Sequence, residues 1–176
     1  ADIGAALTVR LGARVAREEY LDSIKAMGEE FSARLMAAYL AHLGLQAVFV
    51  DPRAAHLVVS DQFGNAVFLE KYYPRLTAAL QAVEGIIVFP GFYGFTERGK
   101  IATFSRGGSD LTGSILAAAL NAAVYENFTD VDGIFAANPG VVPSARIVQQ
   151  VTYDELRELT YSGFNVFHDE AMYPVI

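Results

Sequence analysis

The sequence predicts a layered α/β fold with a mainly parallel sheet. Helical-period stretches alternate with short apolar runs along the chain, the pattern of a sheet covered by helices. The runs are apolar throughout rather than every second residue, as in strands buried on both faces. No internal repeat, low-complexity tract or linker divides the 176 residues, and 53% of them are hydrophobic, enough for a sizeable core. The expectation is one domain, or part of one, over residues 1–176.

Residues 1–16 give mixed signals and no clear element. From Glu18 to Leu43 the apolar residues Tyr20, Leu21, Ile24, Met27, Phe31, Leu35, Tyr39 and Leu43 recur at spacings of three and four, which predicts a helix with that stripe on its inner face. Gly44 is the expected stop, and Gly28 a possible kink. "AVFVD" (47–51) and "HLVVS" (56–60) read as buried strands, and "PRLTAALQAV" (74–83) as a helix opened by proline. Ile86 to Phe89 is a further strand, and Arg98-Gly99-Lys100 supplies the turn of a hairpin completed by "IATF". A helix follows from about Asp110 to Ala122, then "AVYENFTD" as a strand. Thr152 and Glu155 have the spacing of a capping box for a helix ending at Gly163, and "FNVFH" is expected to close the sheet.

Composition excludes several function classes. Net charge is −7 and the 13 Lys and Arg form no basic run, so neither nucleic acid nor an anionic membrane surface is an expected partner. A small phosphorylated ligand stays possible, because a few backbone N–H groups and one arginine can hold it locally. With no cysteine, disulfides, thiolate metal sites and cysteine nucleophiles are out, and a reducing cytoplasm is the expected location. No apolar run approaches membrane-spanning length. His42, His56 and His168 have neither metal-ligand spacing nor a nucleophilic serine motif, so no protein metal site is expected.

Three segments are candidates for chemistry. In "SRGGSD" (105–110), Gly107 and Gly108 expose backbone in front of a helix whose first N–H groups face outward, Ser109 offers a hydroxyl, and Arg106 a forked cation. Asp110 is the expected N-cap. The motif matches neither the GxxxxGK[ST] loop nor the GxGxxG fingerprint, and as pattern alone it is equally a simple turn and cap. "TDVDG" (129–133) falls at an expected strand end, where open α/β sheets bind ligands, but it also reads as a polar turn. "FPGFYGF" (89–95) is either a close backbone approach to a ligand or a hairpin corner. Glu29 lies on the first helix, where a solvated surface position is the plainer reading.

Taken in order, "AMGEEFSARLMAAYL", "PGFYGF", "TFSRGGSDLTGSILAAAL", "YENFTDVDGIFAANP" and "VTYDELRELTYSGFNVFHDEA" resemble the catalytic domain of the aspartate kinases, within the amino acid kinase superfamily, and in particular the subgroup of Gram-positive bacteria with "GFxVFHDEA". The resemblance covers residues from about 20 onward. It implies a three-layer α/β/α sandwich, incomplete here, and transfer of the γ-phosphoryl group of ATP, with Mg²⁺, to the side-chain carboxylate of L-aspartate. It places Arg106 on the aspartate α-carboxylate, Glu29 and Asp110 near its amino group, and Phe92 along that pocket. Gly91, Gly107, Gly108 and Ser109 surround the transferred phosphate. Thr129 and Asp130 contact the nucleotide, Phe135 lies beside its base or ribose, and Asn165 and Val166 stand at its edge. The family also implies a homo-oligomer for the full-length enzyme.

The chain departs from the family pattern at Ser105, Asn138, Gly140 and Asn165, where glycine, aspartate, arginine and lysine are usual. The Lys–Phe–Gly–Gly strand that opens the family's catalytic domain and the paired ACT domains that close the enzyme have no counterpart in it. The chain is therefore expected to be a fragment, nearly inactive alone, since losing one preorganised donor costs on the order of 10²–10³ in rate. Two other readings remain at this point: a non-catalytic amino-acid or nucleotide-binding module, and a related kinase acting on glutamate, N-acetylglutamate or a nucleotide monophosphate.

Overall fold

The computed structural model describes residues 4–5, 8–9, 12, 16–128, 133–137 and 140–161. The elements in chain order are helix α1 (Arg17–His42), strands β1 (Ala47–Phe49) and β2 (Val58–Val59), a 3₁₀ turn (Glu70–Tyr72) running into α2 (Tyr73–Gln81), strands β3 (Ile86–Val88), β4 (Tyr93–Thr96) and β5 (Ile101–Thr103), then α3 (Gly108–Leu120) and α4 (Tyr153–Tyr161). β1 pairs with β3 in parallel, Val48 opposite Ile87, and β2 pairs with β4 in parallel, Val58 opposite Phe95. Only β4 and β5 run antiparallel, as the expected hairpin, with Gly94 opposite Ala102.

Alternation along the hairpin sorts the side chains into two layers. Tyr93, Phe95 and Ile101 pack with Ala26 of α1. Ala102 and Phe104 join Leu57, Val59, Leu76, Leu80, Ile115 and Ala119 in the main core on the opposite face, under α2 and α3. Helices thus cover both faces, the α/β/α layering that the sequence predicts.

α1 is continuous through Gly28, but it does not bury the expected stripe. Its buried residues are Asp22, Ala26, Met27, Ala33 and Ala37, while Leu35 and Tyr39 are 72% and 55% exposed. Close approach of the helix to the sheet selects alanine, and of the large residues only Met27 belongs to both sets. The carboxylate of Asp22 is buried to 2% and accepts the backbone N–H groups of Gly64 (2.6 Å) and Thr103 (2.8 Å). It bolts α1 to the end of β5.

Two further expectations change. α3 starts at Gly108, because Gly107 adopts a left-handed φ of 79° and takes the N-cap position, which leaves Asp110 inside the first turn rather than capping it. Residues 122–128 form no strand: no backbone ladder pairs them among the described residues, and a side chain attaches them instead. The capping box of α4 forms as expected, with the Thr152 N–H donating to Glu155 Oε2 at 2.7 Å and the Glu155 N–H to Thr152 Oγ1 at 3.2 Å. Gly163 and the strand expected at 164–168 lie outside the described residues.

Candidate active site

The fold brings two of the three candidate segments together. The turn after β3, Pro90-Gly91-Phe92, lies against the first turn of α3. A Cβ on Gly91 would stand 3.0 Å from Cα, Cβ and Oγ of Ser109, and one on Gly108 would stand 2.6 Å from Phe104 Cβ and 3.0 Å from Phe92 Cδ2. Excluded volume requires glycine at 108, and at 91 an added Cβ would force Ser109 to shift by a few tenths of an ångström. Neither neighbour is the far end of a flexible side chain, so neither can easily yield.

A buried hydroxyl fixes the pairing. Thr112 Oγ1 accepts the Phe92 N–H at 3.1 Å and donates to the Gly108 carbonyl at 2.8 Å, so one side chain ties the turn to the helix start. Phe92 is held at φ 74°, unusual for a residue with a side chain, and its carbonyl accepts the Phe104 N–H at 2.9 Å. In the first turn of α3 the Gly108 and Leu111 amides are bonded to Ser105 and Gly107 carbonyls, whereas those of Ser109 and Asp110 carry no backbone hydrogen bond among the described residues. Two N–H groups at a helix N-terminus, beside a glycine where side chains are excluded, fit a phosphate oxygen.

The charged residues around this cradle have chemistry to spare. Arg106 is exposed and makes no ion pair among the described residues. Asp110 makes no side-chain capping bond. α1 and β5 run in the same direction, since Lys100 pairs with Glu19 and the Thr103 N–H bonds Asp22, and Glu29 lies further along α1 than both. Glu29 lies seven residues beyond Asp22 on the same helical face, about 10 Å further on. Its neighbour Glu30 is occupied by Arg34 at 3.0 Å.

Phe135 forms a bridge with Ile147, flanked by the Val148 N–H bonding to the Ile134 carbonyl at 2.7 Å, and no described contact links it to α3. Thr129, Asp130, Asn165 and Val166 lie outside the described residues, as does Asn138. Among the described residues no three His, Cys, Asp or Glu are grouped to hold a metal, and no helix is long and apolar enough to cross a membrane.

Sequence reasoning passed over Asp22, Thr112 and Tyr125. The Tyr125 hydroxyl donates to the Asp110 carbonyl at 3.1 Å. Burial, and then the charge of Asp110, raises its pKa above the ordinary phenol range. A signal was available in Gly113, a glycine inside an otherwise strong helix.

The profile of the amino acid kinase family matches residues 4–176. Aspartokinase 3 of Bacillus subtilis is 50% identical over 157 residues, covering 89% of this chain and 34% of that protein. An aspartokinase of Geobacillus stearothermophilus is 37% identical over 153 residues, covering 86% and 37%. Among solved structures, Escherichia coli aspartokinase III in complex with aspartate and ADP superposes with a TM-score of 0.81 at 30% identity, covering 99% of this chain and 39% of that one. The aspartate kinase of Clostridium acetobutylicum gives 0.76 at 38% identity, covering 99% and 38%. The chain thus spans about a third of the length of these curated relatives. A matched family profile over nearly its whole length, around a glycine cradle at a helix start, makes this chain a member of the amino acid kinase family.

Proposed function

We propose that the intact protein carrying this chain is an aspartate kinase that transfers the γ-phosphoryl group of ATP to the side-chain carboxylate of L-aspartate, in the cytoplasm. The observation that carries the reading is the packing of Gly91-Phe92 on Gly108-Ser109, with Arg106 exposed beside it, in a chain similar to an aspartokinase that binds aspartate and ADP.

In this reading Arg106 grips the α-carboxylate of aspartate through its forked N–H groups. Glu29 and Asp110 face the ammonium, and Phe92 closes the apolar side. The acceptor carboxylate, with a pKa of about 3.9, is already ionised at neutral pH, so no histidine or other base is needed. The free amides of Ser109 and Asp110, with the room kept by Gly91, Gly107 and Gly108, receive the phosphoryl oxygens as charge shifts during transfer. ATP supplies the phosphoryl group, and its Mg²⁺ screens the phosphate charge. The ion fits a site without a protein cage, because Mg²⁺ is commonly carried by substrate phosphates and water. Thr129, Asp130, Phe135, Asn165 and Val166 are assigned to the nucleotide side, and the full-length enzyme is assigned a homo-oligomeric state.

A coupled assay of ADP release by the intact protein, with L-aspartate as acceptor, tests the reading. Arg106→Ala is expected to raise KM for aspartate by about ten-fold or more, the loss of a charge-assisted bidentate contact. An unchanged KM for aspartate would sink the assignment, as would preference for glutamate or N-acetylglutamate.

A further inference from the structure

Glycine at position 113 lies within α3 and forfeits about 1 kcal/mol of helix stability relative to alanine. Its reason is Tyr125. A Cβ on Gly113 would stand 2.6 Å from the Tyr125 hydroxyl and 2.9 Å from Cε2 and Cζ of the ring. The ring therefore lies flush on the helix, and its hydroxyl reaches one turn back to the Asp110 carbonyl.

What Tyr125 holds in place is otherwise loosely attached. Ala122, Ala123, Val124, Glu126 and Phe128 around it are all exposed, Phe128 to 90%. Tyr125 is half-buried, and it precedes Thr129 by four residues. Its anchor point, Asp110, belongs to the turn assigned to aspartate, while the segment it anchors leads to residues assigned to ATP.

We propose that Tyr125, seated in the slot opened by Gly113 and bonded to the Asp110 carbonyl, is a positioning residue that sets where the chain leaves α3 for the nucleotide side. Its kinetic consequence rests on the aspartate kinase reading above, whereas the contact itself does not.

The experiment uses the intact protein as wild type, G113A, Y125A, the double variant G113A/Y125A, and Y125F. In chemical denaturation, alanine at 113 lowers the midpoint when Tyr125 is present, because its methyl meets the ring. In the Y125A background the same alanine raises the midpoint, because helix propensity then acts alone. If Y125A does not fold, Tyr125→Leu replaces it. In kinetics, Y125F raises KM for ATP about five-fold, the loss of one hydrogen bond, and leaves KM for aspartate within about two-fold. A general loss of folding would lower the active fraction, and so the maximal rate, and leave both KM values unchanged. Alanine at 113 acting with the same sign in both backgrounds overturns the proposal, and so does a Y125F effect shared equally by ATP and aspartate. A wild-type protein that does not phosphorylate aspartate removes the functional reading alone, and the sign change at 113 then decides the role of Tyr125.

Discussion

The β4–β5 hairpin is held at its two ends by different means. At the turn, Glu97 to Lys100, charged side chains add to the hairpin's own backbone bonds: Lys71 to Glu97 at 2.6 Å and Arg98 to Asp61 in solvent, Lys100 to a half-buried Glu19, and Arg53 donating to the Gly99 carbonyl at 2.9 Å while stacked on Phe95. At the site end, where Tyr93 pairs with Thr103, backbone bonds, a buried hydroxyl and glycines pressed against neighbours do the holding. Solvated ion pairs contribute little each and tolerate movement, whereas a sub-van-der-Waals gap tolerates no added methyl. The site end relies on volume and backbone, and Arg106 beside it makes no ion pair among the described residues.

Removing the buried carboxylate at the site end is expected to have the largest effect. Asp22→Ala leaves the Thr103 and Gly64 amides without their acceptor, with an expected loss of about 3 kcal/mol in a denaturant titration. A loss as small as that of a surface pair would erase the contrast between the two ends. Gly108→Ala comes next, at about 2 kcal/mol from overpacking against Phe104 and Phe92. Its activity should fall further than its stability, because the displaced groups form the cradle; equal activity at wild-type level would show that the fit is slack.

The turn end gives the smallest change. Lys71→Ala is expected to leave the denaturation midpoint nearly unchanged, and more so in high salt. Its pH dependence has a definite sign. The bond from Arg98 holds Asp61 below the usual carboxylate range, and that from Lys71 does the same for Glu97. Their folded-state pKa values are depressed, so the stabilisation is present above the unfolded carboxylate pKa and is lost as pH falls through the lowered values. Stability measured at stepped acidic pH should show this decline flattened in an Asp61→Asn, Glu97→Gln variant.

Local grammar was legible in the sequence where the cause was local. The capping box at Thr152, the turn at Gly99 and the strand beginning at Ile86 each follow from a few adjacent residues. The glycines of "SRGGSD" marked the closely packed helix start. Their effect on Asp110 was misjudged, because the choice of cap depended on Gly107 turning left-handed. α1 was legible as a helix and not as an oriented one, since its large apolar residues form the stronger period while a close sheet admits only alanine. Asp22 with Lys25 three residues on looked like an ordinary helix-surface pair, because the two backbone amides it accepts lie 42 and 81 residues away. The segment 122–128 has strand composition, but a strand needs a neighbour to pair with, and composition does not provide one.

Phe92 sits where the backbone would prefer glycine, at a cost of roughly 1–2 kcal/mol for its left-handed φ. Mutational selection can separate that cost from its return. A library at position 92 screened for thermal resistance alone should drift towards glycine and asparagine, and one screened for growth that depends on the enzyme should keep an aromatic ring. The distance between the two winners would measure how much fitness the ring carries.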